Sequence, residues 1–153
     1  MQFDSSGVRE SPLARFSWAK ATTTWADGTG PRVRTALKDK APIGQGPQAG
    51  RLKDAIRYNR QTGAGSVSLR WEAHVPYLPY VLDGTRPHTI TPKAARALRW
   101  VWGGHAPGAF MFAKSVNHPG TRANRFNERA VLPLIPELQK QFRAAIEAAM
   151  EGL

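Results

Sequence analysis

The stretch from Tyr77 to Lys93 (Tyr-Leu-Pro-Tyr-Val-Leu-Asp-Gly-Thr-Arg-Pro-His-Thr-Ile-Thr-Pro-Lys) constrains this chain more than any other. It opens apolar and aromatic, with Tyr77, Leu78, Tyr80, Val81 and Leu82, a composition that calls for burial. Asp83-Gly84 then tolerates positive φ and turns the chain sharply. Pro87 and Pro92 bias their predecessors, Arg86 and Thr91, toward extended backbone. The expected product is a buried anchor feeding a stiff loop that displays Gly84, Thr85, Arg86, His88, Thr89 and Thr91 to a partner. Stiffness lowers the entropy lost on binding, because much of the ordering is already done. A second stretch, Val116-Asn-His-Pro-Gly-Thr-Arg122, has the same chemistry in His118, Gly120, Thr121 and Arg122, and Pro119-Gly120 suits the centre of a type II turn. Gly-Thr-Arg thus occurs at 84–86 and 120–122, each time beside a His and a Pro, but the flanks do not align. Two loops of similar chemistry are expected, not a duplicated domain.

The segments around these loops predict an α+β fold in a single domain over 1–153: an N-terminal helical segment over 12–40, sheet and loops over 51–123, and a C-terminal helix over about 125–151. Pro12 suits a first helical turn after Ser11, and Leu13, Phe16, Trp18, Ala21, Thr22 and Trp25 form a loose apolar face. Asp27-Gly-Thr-Gly-Pro31 is expected to interrupt that helix, with a second short one from Pro31 to Lys40. The glycine-rich 43–50 reads as a loop; it lacks the Gly-Lys-Ser/Thr ending of a phosphate-cradling loop. Val67, Leu69 and Trp71 alternate with polar neighbours as a strand with one wet face. Leu52 to Tyr58 is read as its hairpin partner, although Leu52 and Ile56 also fit one helical face. Leu98, Trp100 and Trp102, then Phe110, Phe112, Lys114 and Val116, mark two more strands joined through Gly103 to Gly108, for an antiparallel sheet of about four. Leu138, Phe142, Ala145, Ile146, Ala149 and Met150 fall on one stripe of a helix opened by Pro136, which is expected to pack across that sheet.

Charge narrows the class of partner. Lys and Arg number 22 against 11 Asp and Glu, a net +11 that favours polyanions. The basic residues are dispersed and form no single recognition helix, so non-specific contact with double-stranded DNA is expected rather than base readout. Cysteine is absent, which excludes disulfides and thiolate metal sites. The N-terminus lacks a basic region leading into an apolar run, so no signal peptide is expected, and no apolar run suits a membrane span.

Catalytic constellations are scarce. His74, His88, His105 and His118 include no helical i, i+4 pair, so no metal site and no cofactor are expected. No Gly-x-Ser-x-Gly occurs, and the few carboxylates form no evident pair, so no catalytic residue is assigned and the chain is not expected to be an enzyme. One alternative is a small metal-independent ribonuclease using Arg86, His88, His118 and Arg122 if the two loops meet. Another is a non-specific basic nucleic-acid-binding module.

Ala41-Pro-Ile43, Gly50-Arg-Leu-Lys-Asp-Ala-Ile56, Tyr77 to Lys93, and Phe112-Ala-Lys-Ser-Val-Asn-His-Pro-Gly-Thr-Arg-Ala-Asn-Arg-Phe126 follow one another in this order. This series resembles the neck and tail-completion (minor tail, head–tail joining) proteins of long-tailed, siphovirus-type bacteriophages, over roughly residues 40–130. Leu82-Asp83 stands where that family commonly shows Glu-Phe, and Pro47-Gln-Ala49 lengthens the loop after Pro42. The resemblance implies a structural protein of the virion, assembled in the host cytoplasm, without catalysis. It implies a homo-oligomeric ring, a hexamer, at the neck as connector, stopper-associated ring or tail terminator. Adjacent neck and tail-tube proteins would be its partners, and DNA would pass through it.

Overall fold

The computed structural model of the chain describes residues 18–44, 49–63, 66–101 and 110–151. These form two compact units: one takes the chain up to Val75 and again from Phe126, and the other is Pro76–Arg125. Both mix helix and strand, and among the described residues no helix is long and apolar enough to cross a membrane.

The first unit is built on helix α1, Trp18–Lys40, which runs unbroken through Gly28, Gly30 and Pro31 where turn chemistry predicts an interruption. Proline inside a helix removes one hydrogen bond and crowds the preceding turn, at a cost of about 3 kcal/mol. Here a buried stripe offsets it: Thr22, Ala26, Thr29, Val33 and Leu37 recur at spacings of four and three and are all buried. That face continues across the Gly-Thr-Gly-Pro segment, so packing overrides the local signal. The beginning of the predicted helix, 12–17, lies outside the described residues.

A short helix α2, Arg51–Ala55, leads directly into strand β1, Ile56–Gly63, which pairs antiparallel with β2, Ser66–Ala73. The expected strand over 52–58 is therefore helical in its first half. Gly50, at φ 81, starts the turn and accepts from Asp54 N at 3.0 Å, which buries Leu52 and Ile56 one turn apart. In β2 the predicted alternation holds from Ser66 to Trp71, with Val67, Leu69 and Trp71 half-buried and Ser66, Ser68 and Arg70 exposed. It ends at Glu72, which is half-buried too.

The hairpin meets α1 at Gly30. Tyr58 and Trp71, opposite each other in the ladder, bracket that residue: Trp71 Nε1 donates to the Gly30 carbonyl at 3.2 Å, and the Tyr58 ring fills the space of the missing Cβ. Arg34 stacks over the same ring, 5.6 Å from its centroid, and Arg60 pairs with Asp27. Helix α4, Phe126–Val131, buries Phe126 and Ala130 against α1 and runs through a 3-10 turn, Leu132–Leu134, into α5, Ile135–Glu151. The stripe on α5 packs along α1 rather than across a sheet. Trp25 explains this: its ring meets Phe142 edge-on at 5.3 Å, and its Nε1 donates to the Leu138 carbonyl at 3.0 Å.

In the second unit, helix α3 (Leu78–Asp83) precedes β3 (His88–Ile90), β4 (Leu98–Val101), β5 (Phe110–Ala113) and β6 (Val116–His118). Pairing is β3 with β6 and β4 with β5, so the described strands form three two-stranded sheets instead of one sheet of four. The expected buried anchor is also corrected. Tyr77 to Leu82 contains no buried residue, and Tyr80 is 62% exposed, because Pro79 sits in the first turn of a helix that turns its residues to several sides. Trp102 and the predicted connection over 103–108 lie outside the described residues.

Gly28 and Gly30 separate propensity from packing. A Cβ on Gly28 meets nothing within 4 Å, whereas one on Gly30 falls 2.4 Å from Tyr58 Cε2. Gly28→Ala should stabilise the chain by up to about 1 kcal/mol, the helix-propensity gain. Gly30→Ala should destabilise it despite the same gain. Urea unfolding checks both; stabilisation by Gly30→Ala would contradict the packing described for Tyr58.

Candidate functional site

The two Gly-Thr stretches meet. Thr85 and Thr121 form an antiparallel bridge, with Thr85 N donating to Thr121 O at 3.0 Å and Thr121 N to Thr85 O at 3.1 Å. Thr121 N also reaches Thr85 Oγ1 at 3.0 Å, and the two hydroxyls lie 3.1 Å apart. Three residues further on, His88, Thr89 and Ile90 pair with His118, Asn117 and Val116. The bridge and this ladder share one register, so Arg86 stands opposite Gly120 and Pro87 opposite Pro119.

In an antiparallel ladder, hydrogen-bonded and non-bonded rungs alternate. Thr85–Thr121 is a bonded rung, so the next bonded rung is Pro87–Pro119, where neither residue has an N–H to give. The gap between bridge and ladder is therefore two facing prolines in a continuous ribbon. His88–His118 is a non-bonded rung, the type that brings side chains closest, and the two rings sit 5.1 Å apart at 32°.

Two glycines let the root of the ribbon close. Gly84 has φ 73 and ψ −172, a region essentially reserved for glycine. Gly120 has φ 85, but the chain runs on through it from His118 to Thr121 in one register, so the type II turn expected at Pro119-Gly120 does not form. Each faces the other motif: a Cβ on Gly84 would lie 2.4 Å from Thr121 O, and one on Gly120 2.3 Å from Thr85 O. Three further polar contacts lie within the ribbon. Gly120 N donates to His118 Nδ1 at 3.0 Å, so that nitrogen carries no proton and a neutral ring holds its hydrogen on Nε2. His88 Nδ1 lies 2.9 Å from the Arg86 carbonyl, its natural acceptor, and Thr89 Oγ1 donates to Asn117 Oδ1 at 2.9 Å. Asn124 N donates to Val81 O at 2.8 Å, which ties the end of the second stretch to α3.

Period-two alternation puts Arg86, His88 and Ile90 on one face. With His118, Tyr77 and Tyr80 they line an open cleft of about 760 Å³. Of the residues expected to display themselves to a partner, Gly84, Thr85, Arg86, His88 and Thr89 are joined to His118, Gly120 and Thr121 in this element. Arg122 is exposed in the register position opposite Gly84, and Thr91 lies beyond the last rung. The extended 83–93 loop thus uses one backbone edge within its own chain. Of the other histidines, His74 Nε2 lies 3.3 Å from Glu72 Oε1 in the first unit, and His105 lies outside the described residues. Among the described residues no three His, Cys, Asp or Glu side chains converge as metal ligands.

Reading for direct repeats misses the pairing, although a signal for it is present. Gly-Thr-Arg-Pro-His read backwards is His-Pro-Arg-Thr-Gly, which matches His118-Pro-Gly-Thr-Arg122 at His, Pro and Thr. An inverted match is what two strands facing each other in antiparallel register produce. The parts played by Tyr77, Tyr80 and Asn117 carry no such signal. No family model, curated protein or solved structure is similar to this chain.

The geometry predicts a coupled response at the two glycines. Gly84→Ala and Gly120→Ala should each cost about 2 kcal/mol or more, from positive φ and the clash with the opposing carbonyl. Either opens the same bridge, so the double variant should lose clearly less than the sum of the two. Denaturant unfolding followed in the second unit measures the cycle, and strict additivity would mean that the glycines do not share one structure.

Proposed function

We propose that this chain is a structural protein of the head–tail junction of a long-tailed bacteriophage, a neck or tail-completion ring component that joins head to tail and lets DNA pass. The ribbon rooted at Thr85–Thr121 carries the reading. The two motifs on which the family resemblance rests are opposite halves of one element, held together by the Thr85–Thr121 bridge and the Thr89–Asn117 hydrogen bond. An element stiffened in this way suits a fixed docking surface better than a catalytic lid, which has to move. The outer edges of β3 and β6 are unpaired among the described residues and are open to a neighbouring copy or ring. Repetition of one head-to-tail contact closes a ring, and six-fold closure is the expected symmetry. The net charge of +11 suits weak phosphate contact without sequence preference. The protein would act in the virion after assembly in the host cytoplasm, next to neck and tail-tube proteins.

One observation favours a second reading as a ribonuclease: the His88 and His118 rings stand 5.1 Å apart in a cleft also lined by Arg86.

A nonsense mutation in the phage gene tests the first reading. Filled heads and finished tails should accumulate unjoined, and the purified protein should have the native mass of a hexamer of 16.8 kDa chains. Joined infectious particles without the protein would overturn the reading. RNA cleavage by the wild type that disappears in His118→Ala would replace it with the ribonuclease.

A further inference from the structure

We propose that the ribbon of the second unit is the part of this protein that holds double-stranded DNA, through a line of six basic side chains: Arg86, Lys93, Arg96, Arg99, Lys114 and Arg122. The proposal takes only the source of the DNA from the junction reading. Residues 76–125 contain seven Lys and Arg and a single acid, Asp83, which leaves 15 of the 22 basic and 10 of the 11 acidic residues to roughly twice that length of chain. From Gly84 to Asn127 no Asp or Glu occurs at all. All six basic residues are exposed, and among the described residues none of them shares a salt bridge.

Topology turns this composition into a surface. Ile90–Val116 is the last rung of one two-stranded sheet and Leu98–Ala113 the first rung of the next. Residues 91–97 and the pair Lys114-Ser115 therefore bridge the same junction, a wide bulge in one long hairpin. Lys93, Arg96 and Lys114 gather there, Arg86 and Arg122 flank the root, and Arg99 follows one rung beyond the junction. Arg99 is steadied over the Phe110 ring at 4.3 Å. The ten residue steps from Phe112, the partner of Arg99, to Arg122 span at most about 33 Å at the usual strand rise. A cationic line of that length with no interleaved carboxylate fits the uniform charge of a phosphate backbone. A protein partner is matched by alternating signs that set register, which this surface lacks.

The test compares two triple variants of equal charge loss in the full-length protein. Lys93→Gln/Arg96→Gln/Lys114→Gln alters the ribbon junction, and Lys40→Gln/Arg51→Gln/Lys140→Gln removes three exposed charges from the first unit. Binding of a 20-base-pair duplex is followed by fluorescence anisotropy from 50 to 200 mM salt, with melting curves confirming that both variants fold. The ribbon variant should bind about tenfold more weakly or worse, and its salt slope should fall by about two to three, at close to 0.9 for each phosphate no longer neutralised. The first-unit variant should change the slope by less than one. Equal effects of the two variants, or no duplex binding by the wild type at 50 mM salt, would overturn the proposal. Retention on polyglutamate without duplex binding would do so too, and would assign the line to an acidic protein face. None of these results touches head–tail joining, so failure here is distinguishable from failure of the junction reading.

Discussion

Two backbone hydrogen bonds between Thr85 and Thr121 determine what the second unit is. Each contributes only about 0.5–1.5 kcal/mol net, as such bonds usually do. Their structural effect is larger, because they set the register in which the chain between them comes back on itself. The bridge closes only if the residue before each threonine lacks a Cβ, because Gly84 lies against the Thr121 carbonyl and Gly120 against the Thr85 carbonyl. It continues as a ladder only beyond Pro87 and Pro119, which face each other in the one rung that both leave unbonded. Two prolines in facing strands would ordinarily break a sheet; in facing positions they share a single gap and keep the register intact.

The first unit depends on a comparable close approach. Gly30 lets β1 and β2 reach α1, with Tyr58 filling the missing side chain and Trp71 bonding the carbonyl. Both units thus use glycine to bring backbone and neighbour together. One does so between a helix and a hairpin, the other between two halves of a ribbon.

How legible each feature was follows from the range of the interaction behind it. The β2 alternation of Val67, Leu69 and Trp71, the amphipathic stripe of α5 and the positive φ of Gly84 and Gly120 are local, and periodicity or turn chemistry shows them directly. Helix α1 was hidden because Gly28, Gly30 and Pro31 speak for a turn, while the stripe through Ala26, Thr29, Val33 and Leu37 is stabilised by residues far along the chain. The helical start at Arg51 competed with an equally good strand pattern and was decided by Gly50. The face on which α5 packs depended on Trp25, a residue more than a hundred positions away. At the candidate site the residue types and loops were readable, yet their union was not, since a repeated Gly-Thr-Arg reads more readily as a copy than as an inverted half.

That union is what the functional reading rests on, because a rigid ribbon with an acid-free cationic side is a different object from two separate loops. Amide hydrogen exchange resolved by residue tests it most directly. Thr85 and Thr121 should exchange slowly and at matching rates, well below Arg86, whose amide stands in a non-bonded rung. Exchange of Thr85 as fast as that of Arg86, or independent rates at Thr85 and Thr121, would contradict the account.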